Sequence, residues 1–388
     1  MILTIKFNKK NAFSYILWAI ILFSYFFQFP FSFLSQFIVP SVMLLIILNT
    51  DVNEFKRNKL FSLNFLLFLI FLCIPFIISI FKNVEMSRIM RFFLILISIP
   101  LCTQVKLKNY DNYYRIMIFF AIIKSILLVL IALYLIKTND HTLIRNWVLA
   151  NNLGDIYLAG SFSPRVQVQG NAFLVVIFIL SFIKNNKFRL SNIILLFGIL
   201  AAGNFAFVLG LILFVFYKMY LYVLLWSKKN KQKLMMLIVA IIIIIAFLIP
   251  YINAKIEIKS LYSNVVRIEQ IKVLTEGNFL IGEGLGSVIN ASTTFRNYNN
   301  DIYFELQTLY IYNQIGIIGL FLFYMTLFSA FFKKRMTIVI VYCIYLFYAL
   351  WNPYCFDTTQ MMATIIIINL PNYVGGRLHE KNCINDTI

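Results

Sequence analysis

LFSLNFLLFLIFLCIPFIISIF, from Leu60 to Phe81, decides the fold. It carries no charge, and about 20 apolar residues wound as an α-helix cross the hydrocarbon core of a bilayer. Similar runs recur along the chain, and we place spans near 12–29, 33–49, 60–81, 88–103, 115–136, 166–183, 190–205, 206–226, 234–252, 305–331, 336–351 and 357–370. The composition agrees: 61% of the 388 residues are hydrophobic, only 13% are charged, and the mean hydropathy is +0.85. A soluble chain has about 45–50% apolar residues. The expectation is an all-α integral membrane protein with about twelve transmembrane helices, one polytopic domain over residues 1–388. The basic start, Met1–Asn11, is followed by no small-residue cleavage site and reads as the flank of a retained first span.

The net charge of +19 arises from 34 Lys+Arg against 15 Asp+Glu. In a soluble protein it would point to nucleic acid; here basic connections that orient the spans account for it, and no nucleic-acid partner is expected. With the N-terminus inside, 21 of the 34 basic residues fall on the inner side, 10 on the outer, and 3 within spans (Arg91, Lys124 and Lys218). Both termini are therefore expected in the cytoplasm. Cys73, Cys102, Cys343, Cys355 and Cys383 show no CxxC spacing, and His141 and His379 are too few for a metal cluster, so neither a metal nor another cofactor is expected.

Two connections are long, 137–165 and 253–304, and both fall on the outer side. Long loops on one face of a rigid scaffold are where chemistry concentrates. Within the second, Leu261, Val265, Ile268, Ile271 and Leu274 recur at helical spacing, with Ser260 as a candidate N-cap and Gly277 as a stop. The other face carries Arg267, Glu269, Gln270 and Lys272. This reads as an amphipathic helix on the membrane surface or over a cavity. Gly282-Glu283-Gly284-Leu285-Gly286 follows as a turn. Ser287 stands where a dinucleotide fingerprint has its third glycine, and no Walker lysine is present.

Each candidate has a plain reading beside a sharper one. Glu305 opens the tenth expected span, where an acid gains roughly 0.3–1 kcal/mol from the helix dipole; equally, a carboxylate at the outer interface can take a proton from an alcohol. Arg165, at the start of the sixth expected span, and Arg267 read as solvated cations or as planar forks for phosphate oxygens. Arg88 and Arg91 form a second basic spot. Lys124 stands mid-span, where a charge costs at least about 2.5–3.5 kcal/mol, so it faces the bundle interior or a wet cavity.

The order Arg267, then about fifteen residues to Gly282-Glu283-Gly284-Leu285-Gly286, then Glu305, ten residues and Gly316-Ile317-Ile318-Gly319-Leu320 resembles the O-antigen polymerase/ligase family, the Wzy-type polymerases and their relatives. Arg165 ahead of Gly170-Asn171-Ala172 is similar to an earlier arginine of that family. The likeness covers roughly residues 160–330 by motif and most of the chain by layout. It implies a GT-C-like enzyme in the bacterial cytoplasmic membrane that polymerises undecaprenyl-pyrophosphate-linked repeat units on the outer face. By that likeness Glu305 is the base; Arg165 and Arg267 bind pyrophosphate; Gly282, Gly284, Gly286 and Gly316 shape the loop; and the partners are the lipid-linked glycans, the bilayer and a chain-length regulator. Lys124 and Arg88, read from their charge alone, are added as candidate pyrophosphate contacts. Two departures stand out. Ligases of the family usually carry His at the position of Glu305, which favours a polymerase. The family's Ser-Arg pair appears here as Gly203-Asn204.

Two rivals remain at this stage: a ligase, which shares the chemistry but transfers to another acceptor, and a flippase or other transporter, which is no enzyme. Transporters typically carry internal repeats, and none is found here. A metal-dependent lipid-sugar transferase would need an acid in the first outer connection, and Pro30-Phe31-Ser32 has none. The orientation is open to direct test. A cysteine placed at Asn290 should react with a membrane-impermeant thiol reagent in intact spheroplasts, and one at Asn230 should not; the reverse pattern overturns the topology.

Overall fold

In lipid a backbone N–H or C=O finds no water, so an apolar run closes its hydrogen bonds on itself as a helix. The computed structural model describes residues 9–50, 58–151, 153–158, 163–185, 189–227, 263–289, 304–332, 334–350 and 352–371. In chain order the elements are α1 (Lys9–Phe26), a 3-10 turn (Ser32–Leu34), α2 (Ser35–Asn49), α3 (Lys59–Phe81), α4 (Met86–Cys102), α5 (Tyr110–Thr138), α6 (Thr142–Ala150), β1 (Gly154–Leu158), β2 (Pro164–Val168), α7 (Phe173–Asn185), α8 (Leu190–Ala202), α9 (Phe205–Ser227), α10 (Ser263–Leu274), α11 (Gln307–Ser329), α12 (Met336–Leu350) and α13 (Thr358–Ile368). Every expected span except 234–252 contains a helix, and 234–252 lies outside the described residues. Four helical stretches are long and apolar enough to cross a membrane: Ser32–Asn49, α3, α5 and α11. The chain is a membrane-embedded, multi-pass helical protein. α7 and α13 are short, and nearly every residue of both is buried.

Polar contacts fix which helix ends lie together. At one end Ser14 Oγ donates to Asn49 Oδ1 (3.3 Å), the Lys106 N–H to the Asn49 carbonyl (3.0 Å), the Leu107 N–H to Asn369 Oδ1 (3.0 Å), and Lys184 Nζ meets Asp111 Oδ1 (2.5 Å). At the other, Tyr25 Oη donates to Thr359 Oγ1 (3.0 Å) and Ser79 Oγ to the Leu285 carbonyl (2.8 Å). Successive helices alternate between these ends. The described parts of both long connections sit at the second, called here the loop end; the first gathers Lys106, Lys184 and Lys334.

The connection 137–165 is no plain loop. It folds as α6 and half of an antiparallel hairpin in which Tyr157 faces Arg165 and Asp155 faces Gln167. Arg165 therefore lies on a strand, and the sixth span begins at Phe173 rather than 166. The reason is the period: Arg165-Val166-Gln167-Val168 alternates at 2, not 3.6, so Val166 and Val168 are buried with Ile156 while the polar residues face away. Among the described residues this two-stranded sheet is a small addition to a helical membrane fold, and the expected all-α class stands.

The glycine-rich segment and α11 are built as one unit. Gly316 leaves the helical region at φ 66°, ψ −178°, which opens the hydrogen-bond ladder of α11. The neighbouring segment fills the break. The Glu283 N–H donates to the Asn313 carbonyl (2.7 Å), Gly284 N–H to Gln314 (3.0 Å), Ile317 N–H to Phe279 (2.9 Å) and Ile318 N–H to Leu280 (3.3 Å). The chains touch backbone to backbone: a Cβ on Gly282 would come within 2.4 Å of the Gln314 carbonyl, and one on Gly316 within 2.2 Å of the Leu280 oxygen. Pro75 inside α3 completes the dock by accepting the Leu285 N–H (3.3 Å). The backbone region that Gly316 occupies is open essentially to glycine alone, at a cost of about 1–3 kcal/mol for other residues. Gly316→Ala is therefore expected to lower the melting temperature of the detergent-purified protein by several degrees. An unchanged midpoint in a thermal unfolding assay would show that the break does not need a glycine.

Candidate functional site

Docking of α10 against the start of α11 places the two residues singled out for chemistry side by side. The buried line of α10 is Val266, Gln270 and Leu274, one helical turn apart. Of the apolar stripe, Ile268 is 66% exposed and Ile271 44%, as a helix lying on a membrane surface leaves them, while Leu274 is buried and Gln270 is 1% exposed. The packed position goes to an amide that can serve a helix end: Gln270 Oε1 accepts the Leu306 N–H (3.4 Å). Leu261 and Ser260 lie outside the described residues.

One turn from that contact, Arg267 Nε stands 3.6 Å from Glu305 Oε2, with 21% and 22% of the two side chains exposed. At this distance the pair is ionic rather than a hydrogen-bonded fork. Helix α11 starts at Gln307 with Leu306 as N-cap, so Glu305 precedes the helix instead of opening it. Its carboxylate is thus held by a cation from a different element.

The other candidates are distributed along the loop end. Arg165 Nη1 donates to Tyr157 Oη (3.1 Å), and its stem crosses Gly203, where a Cβ would lie 2.7 Å from Arg165 Cγ. Gly203 (φ 64°) makes the turn between α8 and α9, close to the boundary placed between the spans 190–205 and 206–226. Next to it Asn204 Nδ2 donates to Asn352 Oδ1 (3.3 Å) and Tyr354 Oη (3.4 Å), and the Gln307 amide nitrogen, in the orientation that satisfies its neighbours, donates to the Pro353 carbonyl (3.2 Å). A polar rim therefore runs from Arg165 through Asn204, Asn352 and Gln307 towards Glu305. Arg165 and Arg267 share the rim without touching.

Lys124 is fully buried, with Nζ 5.4 Å from the centroid of the Phe29 ring. Phe29 follows the end of α1, and Ser125 packs on Gly198, four residues from the end of α8. The lysine stands at the middle of α5 and is enclosed by protein, so it faces the bundle interior as a mid-span charge is expected to. Arg88 sits elsewhere on the loop end: its Nε is 3.2 Å from Glu85 Oε2 and it lines an open cavity with Glu276 and Glu283. The loop-shaping glycines shape the dock described above.

Several polar residues of this end were not singled out from the sequence. Arg145 forms a two-pronged pair with Asp155 (2.8 and 3.1 Å). Asp357 caps α13, accepting the Gln360 N–H (3.1 Å) and the Thr359 hydroxyl (2.7 Å). The capping signal was present, because Asp357-Thr358-Thr359-Gln360 spaces an N-cap acid and a Gln as a capping box does. Among the described residues no group of three or more His, Cys, Asp or Glu is placed to hold a metal. Comparison with protein-family models, curated proteins and solved structures finds no match to this chain.

A partly exposed ion pair contributes about 0.2–1 kcal/mol. A double-mutant cycle on Arg267→Ala and Glu305→Ala, read by chemical unfolding in detergent, should give a coupling within that range. Strictly additive losses would mean that the two side chains do not meet in solution.

Proposed function

We propose that this chain is a glycosyltransferase of the O-antigen polymerase type, with the twelve-span, N-in and C-in layout read from the sequence and its loop end on the outer face of a bacterial cytoplasmic membrane. The observation that carries the reading is the Arg267–Glu305 pair, which joins the family-like arginine to the family-like carboxylate. The donor is a growing glycan on undecaprenyl pyrophosphate, and the acceptor is a hydroxyl of a single lipid-linked repeat unit. Glu305 takes the hydroxyl proton as the oxygen bonds to the donor's anomeric carbon. The bond from that carbon to the pyrophosphate oxygen breaks, undecaprenyl pyrophosphate leaves, and the proton passes from Glu305 to water.

The pair also gives the base a means of release. A pyrophosphate competes with the carboxylate for Arg267, because the guanidinium binds phosphate oxygens in paired fashion. Donor binding thereby draws Arg267 away from Glu305 when the carboxylate has a proton to accept. Arg165 supports the same reading. Its stem lies over Gly203, at the junction where the resembled family carries Ser-Arg and this chain does not, so a cation reaches that place from the hairpin instead. Lys124 is enclosed in protein and is better read as a structural cation than as a substrate contact.

General-base catalysis is worth about 10²–10⁴-fold. Glu305→Gln should therefore abolish polymer at unchanged protein level, Glu305→Asp should keep partial activity, and Arg267→Lys should rescue poorly because lysine lacks the fork. Surface glycan run on a gel reads all three. Single-repeat product in the deletion strain supports a polymerase; accumulated lipid-linked polymer means a ligase; intermediates trapped inside mean a flippase. Normal ladders from Glu305→Gln remove it as the base.

A further inference from the structure

Helix α6 leaves most of its apolar surface without a protein partner. At 3.6 residues per turn, Val148, Ile144, Trp147, Leu143 and Ala150 follow one another around the helix within an arc of about 160°. Only one edge of that arc is packed. Val148 is buried and Ile144 half-buried, whereas Trp147 is 45% exposed and Leu143 81%. The rest of the circumference holds Thr142, Arg145 and Asn146, with Leu149 as its one apolar member. A helix with a protein-facing edge, an apolar flank and a polar flank suits the plane of a membrane interface. There Trp and Leu enter the acyl boundary while the polar flank stays wet.

What covers the apolar flank follows from its neighbours. The Trp147 ring meets that of Phe29 edge-on, with centroids 6.0 Å apart. Just beyond Phe29, Phe31 is exposed, and so are Phe33 and Phe37 of Ser32–Asn49, a stretch long and apolar enough to span. On the other side α5, also long enough to span, exposes Leu133 and Tyr134 less than two turns from its end. Only three residues separate that end from α6. Lipid covers the open faces of these spanning helices, and the flank of α6 continues them.

We infer that α6 is an in-plane membrane anchor, seated by Trp147 and Leu143 in the lipid leaflet at the loop end. The seat also sets the level of Arg165. Arg145, on the polar flank, holds Asp155 of β1 (2.8 and 3.1 Å), and the Leu153 N–H donates to the Val148 carbonyl (3.0 Å). The Tyr157 ring has both Arg145 (5.6 Å) and Arg165 (5.7 Å) within cation–π reach. A helix held at the headgroup boundary therefore holds the hairpin and its arginine there as well. The anchor rests on the helical membrane fold and not on the polymerase reading.

The test uses the full-length protein in lipid nanodiscs, where both bilayer faces meet solvent. The emission of Trp147 is isolated as the difference between the wild type and Trp147→Phe, a surface replacement that keeps an apolar ring. Phospholipid brominated near the carbonyl end of its acyl chains should quench most of that difference, and aqueous iodide little of it. Asn146→Trp, made in the Trp147→Phe background, puts an indole on the polar flank, and its emission should respond the opposite way. Replacing both anchors, Leu143→Gln with Trp147→Gln, should speed amide exchange across the hairpin severalfold. Trp147 emission quenched by iodide and untouched by brominated lipid overturns the anchor in favour of a helix in water. Shielding from both quenchers overturns it in favour of a protein cover, such as a second copy of the chain. Equal quenching of the two flanks by brominated lipid means that the helix does not lie in the interface, and unchanged amide exchange overturns the link to Arg165. Glycan ladders do not enter these readouts, so the anchor and the polymerase reading stand or fall separately.

Discussion

Four backbone hydrogen bonds between the glycine-rich segment and the opened turn of α11 hold the loop end together. A helix broken by Gly316 would leave peptide groups without partners, at several kcal/mol each in hydrocarbon. The segment carrying Gly282 and Gly284 answers them from outside the helix. Everything near the candidate site hangs from that exchange. It anchors the chain just after α10, it brings α10 down on the start of α11, and it sets Ser287 and Asn313 at the cavity wall. The glycines that resemble a family motif act here through space for backbone, not through affinity for a phosphate.

The cations of the loop end separate by what already neutralises them. Arg145 is locked to Asp155, Lys82 to Glu283 and Arg88 to Glu85. Arg267 is held by a longer contact to a carboxylate, and Arg165 by a phenol, which leaves its charge uncompensated by that partner.

The helices were legible because lipid imposes a length and an apolar composition that few other environments require. The turn at Gly203-Asn204 was legible for the same reason: α8 and α9 together are too long for one crossing. The hairpin was missed because Val166 and Val168 abut the apolar run from Phe173, and hydropathy alone merges a half-buried strand with the span behind it. The period-2 pattern of Arg165-Val166-Gln167-Val168 carried the missing information. The open face of α10 was legible in its amphipathic pattern, since Ile268 and Ile271 stay exposed as on a membrane surface. Nothing local in the sequence marks Gln270 as the packed residue, since its partner is a backbone N–H some thirty-six positions away. The proximity of Arg267 to Glu305 was suggested only by the family likeness, not by spacing.

The short inner helices carry one more consequence. At 1.5 Å per residue, α7 and α13 rise only about 17–20 Å, against a hydrocarbon thickness of about 30 Å. Both end at the same side as Lys106 and Lys184, so their tops stop roughly 10 Å short of the opposite boundary. The hairpin and residues 352–357 make up the difference, with Ile156, Val166, Val168, Cys355 and Phe356 buried. The inner column of this protein is thus completed at the loop end by chain that is not helical.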